Sequence, residues 1–165
     1  MSGLLMKTVG FIDENVLSLY TVLLALCAVS AIGMWGTFRK MNISSVRAVI
    51  PFDNVNCLFE LCWKHSMFNI WLTVVLTESL IFILSLVSYG SNADAAVRMF
   101  TVFMALAMVN LVIHSVLYYK VGKNFGKSVP FRIGLTVLTP FFMSILGWGE
   151  SRYLLPPHGK EECYI

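Results

Sequence analysis

The chain has 165 residues, of which 58% are hydrophobic and only 13% charged, with a net charge of +3. A water-soluble domain of this length cannot bury so much apolar surface, and no broad basic face is available for nucleic acid. Four apolar runs approach the roughly 20 residues a helix needs to cross a hydrocarbon core, which predicts one small helical membrane bundle rather than two domains.

In chain order, residues 1–15 alternate Leu4, Leu5, Val9, Phe11 and Ile12 with Lys7, Asp13 and Glu14, the pattern of a short amphipathic surface turn or helix. Residues 16–38 are continuously apolar and form the first span, with Ser18, Thr21, Ala25 and Ala28 marking a small-residue face suited to close helix packing. Ala28-Val29-Ser30 resembles a signal-peptide cleavage site. The charges before the run are mostly acidic and the run continues past that site, so a retained span is the reading adopted. Arg39 and Lys40 stop it.

Residues 41–64 are too polar to span, with Arg47, Asp53, Glu60 and Lys64 among their apolar side chains. Pro51 lacks an amide hydrogen and disfavours a helical conformation at Ile50, which predicts two short interfacial helices with a break near residues 50–53. The second span covers residues 68–89, interrupted by Glu78, and residues 90–94 form a turn whose Ser91–Asp94 stretch caps the next helix. The third span covers residues 95–119 and carries Asn110 and His114 on one face. The fourth, 131–148, contains Gly134, Pro140 and Gly147, which predicts a kink-prone helix packed against protein. Residues 154–165 read as a loose tail. The predicted fold is an all-α integral membrane protein: a single domain, 1–153, of four transmembrane helices, with a broken amphipathic segment between spans one and two.

Lys and Arg counts give the topology. Arg39, Lys40, Arg47 and Lys64 lie between spans one and two, and Lys120, Lys123, Lys127 and Arg132 between spans three and four. Both basic loops are expected inside. With four full crossings both termini lie outside; if the short fourth run re-enters instead, the C-terminus lies inside.

Glu78 is the sharpest candidate for chemistry, because a charged group near mid-span costs on the order of 3 kcal/mol and usually faces the bundle interior. Antiparallel packing of spans two and three brings Asn110 to its depth, with His114 one turn nearer the basic side. A Glu78, Asn110, His114 cluster can serve as a proton or cation relay, as a docking point for a basic helix, or as interhelical glue. Arg39, Lys40, Lys120, Lys123, Lys127 and Arg132 are candidate contacts to anionic lipid. Ala25, Ala28, Gly134, Pro140 and Gly147 are candidate helix-packing positions.

His65 and His158 read as solvated, no zinc-type ligand spacing is present, and Cys27, Cys57, Cys62 and Cys163 read as free thiols. The Gly122–Ser128 loop has three residues, not four, before its Gly-Lys pair and no preceding strand, so it is not read as a nucleotide loop. No catalytic motif, metal or cofactor site is assigned.

The runs IPFDNVNCLFELCWK and FGKSVPFRIGLTVLTPFFMSILGWGESRY resemble a family of small prokaryotic multi-spanning membrane proteins of uncharacterised function. The matching positions are Ile50, Pro51, Phe52 and Asn54; Phe125, Gly126 and Lys127; and Gly134, Leu135, Pro140 and Leu146 through Tyr153. Trp63 through Phe68 departs from the Gly-Lys-Pro-Gly-Trp-type turn of that family. The resemblance covers residues 34–153 and implies a prokaryotic cytoplasmic membrane. Related segments beside signal peptidase I-like domains imply a tie to export; no catalytic residue carries over. The expected function is a non-catalytic partner or scaffold subunit of a membrane assembly, with a protein partner or a homo-oligomer recognised through the small-residue face of span one and the Gly/Pro-bearing last helix. The alternative is a small oligomeric proton or cation transporter built on Glu78.

Overall fold

A computed structural model describes the backbone of residues 2–50, 52–90 and 92–154, and side chains from Ser18 onward within those segments. The expected amphipathic pattern of the first residues, Pro51, Ser91, and the expected loose tail with His158 and Cys163 lie outside the described side chains. The described residues form six α-helices and one 3-10 helix, with no strand. They are α1 (Ser2–Lys40), the 3-10 helix Ser45–Ala48, α2 (Asp53–Cys62), α3 (His65–Tyr89), α4 (Ala93–Asn124), α5 (Val129–Val137) and α6 (Thr139–Trp148). Three segments are long and apolar enough to cross a membrane: Ser18–Lys40, α3 and α4.

The first two basic-side helix ends share one device. At the end of α1 the amide of Ile43 donates to Phe38 (3.0 Å) and that of Asn42 to Arg39 (3.3 Å), with Asn42 at φ 60°. At the end of α4 the amide of Lys127 donates to Gly122 (3.0 Å) and that of Gly126 to Lys123 (2.9 Å), with Gly126 at φ +64°. Both are Schellman turns, in which a left-handed residue lets two late carbonyls find donors; Asn and Gly are the residues that tolerate that conformation. Between α1 and α3 the expected break is present. Arg47 grips Asp53 through two 2.7 Å bonds, tying the 3-10 helix to the first turn of α2. Phe52, at φ 66°, turns the chain between them.

α3 and α4 form an antiparallel pair. Asn92 caps α4 by accepting from the amide of Ala95 (3.1 Å), and Ser85 donates to the carbonyl of Ala96 (3.1 Å) just inside the turn. Phe82 meets Phe103 at 5.1 Å lower down.

The expected fourth span is not one helix. At Leu138 (φ −120°, ψ 53°) α5 stops and α6 starts, with Pro140 in the first turn of α6, where a missing amide hydrogen matters least. In a continuous helix residues 131 and 142 would be about 16 Å apart. Instead the rings of Phe131 and Phe142 lie 5.0 Å apart, edge to face, and the α-carbon of Gly134 abuts the Phe142 ring. The two helices therefore fold back as a hairpin. α5, nine residues long, climbs about 13 Å along α4, too little to cross a bilayer.

α6 then descends along α1 in the same direction as α1. Ser144 bonds the carbonyl of Val29 (3.1 Å), the Trp148 indole that of Ile32 (3.2 Å), and Lys40 that of Gly149. Residues 149–154 consequently lie at the end of the bundle occupied by Lys40 and Asn124, and Leu154 donates to the Asn124 carbonyl (2.9 Å). Full crossing would have put them at the other end. The physical reason is the break at Leu138, followed by a proline placed to begin a helix, which leaves helices of 9 and 10 residues, each too short to cross alone.

The core gathers at that same end, where Phe38, Leu58, Phe59, Leu117, Val121, Leu135, Met143 and Leu146 are fully buried. α1 packs on α6 and the 3-10 helix, and α3 on α4 and α2. The upper part of α1, from Ser18 to Val29, is exposed throughout.

Candidate functional site

Glu78 and Asn110 meet as the spacing predicts, joined by a third residue the sequence did not single out. The indole of Trp71 donates to Oδ1 of Asn110 (3.0 Å), and Nδ2 of Asn110 donates to Oε2 of Glu78 (3.0 Å). Because an indole N–H can only donate, it fixes which way the Asn110 amide faces and presents the NH2 to the carboxyl group. Glu78 can accept that bond whether it is a carboxylate or a carboxylic acid. A signal for Trp71 was available: a tryptophan within an apolar span needs a partner for its N–H.

His114 does not join this chain of bonds. Its ring lies 5.6 Å from Trp71 and 5.6 Å from Tyr118, a stack rather than a relay. Trp71, only 6% exposed, occupies the space between His114 and the Asn110 amide. Beside Glu78 a groove of about 310 Å3 opens between α3 and α4, lined by Val75, Ser79, Phe82, Phe103 and Asn110 among others.

The six basic residues expected to meet lipid are placed differently from one another. Lys40 is turned inward: its ammonium donates to the carbonyls of Leu146 (2.7 Å) and Gly149 and lies 3.4 Å from Oγ of Ser151. It caps α6, supplying donors to carbonyls the helix leaves unpaired. Arg39 lies over the Trp148 ring (5.6 Å), Lys120 over Trp63 (5.1 Å), Lys127 over Phe131 (5.1 Å) and Arg132 over Tyr119 (5.5 Å). Arg132 also donates to the Lys127 carbonyl (2.6 Å). Lys123 is exposed.

The packing positions divide as well. Ala25 and Ala28 are exposed, and the face α1 uses internally is one the sequence reading passed over. Gly33 and Gly36 lie against the backbone of α6: a β-carbon on Gly33 would come within 2.6 Å of the Ser144 nitrogen, and one on Gly36 within 2.9 Å of Gly147. Gly147 is thus consumed inside the molecule, Gly134 faces Phe142, and Pro140 starts α6. A Gly-x-x-Gly spacing was the visible signal.

Cys62 is half-buried, and burial pushes its thiol up to about 12. Cys27, Cys57 and Cys62 form no disulfide among the described residues. His65 is paired with Glu60 at 2.9 Å on the surface. Among the described residues no group of three or more His, Cys, Asp or Glu could hold a metal ion.

Residues 46–156 match the model of DUF5684, a family of unknown function. The chain belongs to this family. The DUF5684 region begins within the 3-10 helix and ends just past the segment docked on Asn124, so it holds Glu78, Asn110, His114 and the α5–α6 hairpin but not the α1 surface on which α6 rests. No curated protein and no solved structure matches the chain.

Proposed function

We propose that this DUF5684 protein is a non-catalytic partner or scaffold subunit of a membrane assembly, with α1, α3 and α4 crossing the bilayer and α5–α6 entering it only part-way. The observation that carries the reading is the unequal covering of α1. Its lower part is clasped by α6, whereas from Ser18 to Val29 it is exposed, with Ala25 and Ala28 uncovered. Small side chains there permit the close backbone approach on which helix association in lipid depends. A partner helix, from another protein or a second copy, would dock on that face.

By the positive-inside rule the end holding Lys40, Lys120, Lys123 and Lys127 is cytoplasmic. The N-terminus is then outside and residues 149–154 inside, unlike the arrangement that four crossings require. The prokaryotic cytoplasmic membrane, and a tie to export, rest on the family resemblance alone.

A photocrosslinker in place of Ala25, activated in native membranes, tests the docking face. A discrete heavier adduct that disappears when Ala28 is changed to Leu supports it, and its mass separates a second copy from another protein. Crosslinks to lipid alone would refute it.

One observation favours a second reading. Glu78 borders an open groove and accepts only from Asn110 among the described residues, so a proton or cation could reach it from the side. Proton flux in liposomes that Glu78→Gln abolishes would establish that reading, and a tight liposome would dismiss it.

A further inference from the structure

An open groove of about 440 Å3 runs along the seam between α4 and α5, lined by Ser115, Val116, Tyr119, Lys120, Lys123 and Thr136. Its polar groups follow an order. Lys123 and Lys120 lie within the last turns of α4, one turn apart and hence on one face. Neither has an ion-pair partner among the described residues; at that end Asp53 is engaged by Arg47 and Glu60 by His65, and the exposed Glu150 forms no ion pair with a described residue. Below the lysines comes Tyr119, and then Ser115, about 12 Å deeper than Lys123 along the helix axis, with Thr136 on the α5 side of the groove. Among the described residues the hydroxyls of Ser115 and Tyr119 have no hydrogen-bond partner, although Thr73, Thr77 and Thr101 each donate to a carbonyl of their own helix. Val116 supplies an apolar wall beside Ser115.

We infer that this seam is a binding site for a single anionic phospholipid. Two ammonium groups at the rim match a phosphodiester, the free hydroxyls one to two turns below match the glycerol ester carbonyls, and the apolar wall continues toward the acyl chains. A headgroup, ester and chain are stacked in that sequence in every phospholipid, and the groove repeats it along one helix. Arg132, held over Tyr119 and bonded to the Lys127 carbonyl, keeps the α5 wall in place. The inference rests on the reading that the lysine-bearing end of α4 lies at a membrane surface.

The test is native mass spectrometry of the detergent-purified protein titrated with phosphatidylglycerol or phosphatidylcholine. Wild type should prefer phosphatidylglycerol by about tenfold or more. The preference should vanish in Lys120→Gln/Lys123→Gln, and persist both in Lys120→Arg/Lys123→Arg and in Arg98→Gln at the far end of α4. Equal binding of the two lipids by wild type, or undiminished phosphatidylglycerol binding by the Gln variant, overturns the site. Displacement by millimolar inorganic phosphate would mark a free-anion site and overturn the lipid assignment. Release of the protein from membranes by carbonate would remove the bilayer reading itself; retention with an unaffected Gln variant would remove only this site.

Discussion

Lys40, the last residue of α1, donates to the carbonyl of Leu146 at 2.7 Å, and so joins a helix start-to-finish with a segment 106 residues later. The same ammonium reaches Gly149, and the Ser151 hydroxyl also donates to Leu146 (2.9 Å), so two side chains close the C-terminal end of α6. Lys40→Met keeps the length of the stem but removes every donor. It should loosen the hairpin by about 1.5–3 kcal/mol, the usual contribution of hydrogen bonds to a charged group. Protease cleavage within residues 149–154 of the folded protein should rise accordingly, while Arg39→Met, which only leaves Trp148, should change it little.

Gly147 tolerates no side chain, because a β-carbon there would press on the Gly33 carbonyl and come within 3.0 Å of the Thr37 nitrogen. Gly147→Val should destabilise the fold by roughly 1–3 kcal/mol, as overpacking commonly does, lowering the thermal midpoint in detergent. Ala25→Leu, on an exposed face, should change stability by no more than about 0.5 kcal/mol and so leave that midpoint nearly where it is in wild type.

The direction of the Trp71, Asn110, Glu78 chain predicts an unequal response to substitution. Glu78→Gln keeps an acceptor oxygen for the Asn110 amide, whereas Asn110→Leu strands both the Trp71 N–H and the Glu78 carboxyl group. Asn110→Leu should therefore be the more damaging by about 1 kcal/mol or more in reversible unfolding. Equal losses would mean that the bonds contribute nothing to the α3–α4 contact.

Cys62 supplies a pH prediction. Its thiol is pushed from the ordinary value of 9.0 up to about 12 by burial, so in the folded protein it stays protonated where an unfolded chain ionises. Between about pH 9 and 12 the unfolded state binds fewer protons, and stability falls as pH rises. Cys62→Ala should flatten that fall. In native protein at pH 8, a thiolate-selective alkylating agent should leave Cys62 unmodified until denaturant is added.

The hairpin predicts a topology. A reporter placed after Leu154 and one placed in the 41–44 loop should be accessible from the same side of the membrane. Accessibility from opposite sides would require α5 and α6 to cross as one helix, against the Phe131–Phe142 contact.

The long helices were legible because uninterrupted apolar runs leave the chain few other ways to satisfy its backbone in lipid. The Glu78–Asn110 contact was legible for a related reason: a short turn between antiparallel helices sets their register, and two polar residues at one depth find each other. The hairpin was harder to see. Pro140 reads equally as a kink within a helix or as the first turn of a new one, and only the folding back of Phe142 onto Gly134 distinguishes them. The bonds of Lys40 to α6 were hidden for a similar reason. A lysine at a helix end looks the same in sequence whether it faces headgroups or the carbonyls of a distant helix, since the carbonyls that claim it carry no side-chain signature. Ala25 and Ala28 were favoured over Gly33 and Gly36 although glycine permits the closer approach that α6 makes.

The clasp between α1 and α6 also sets an order in time. A ribosome adding about 5–20 residues per second needs roughly 5–20 s to travel from Lys40 to Leu146. For that interval α1 exists without the helix that will cover Gly33 and Gly36, and its narrow glycine face is open to any other helix nearby. Of the described helices, the one made latest ends the competition.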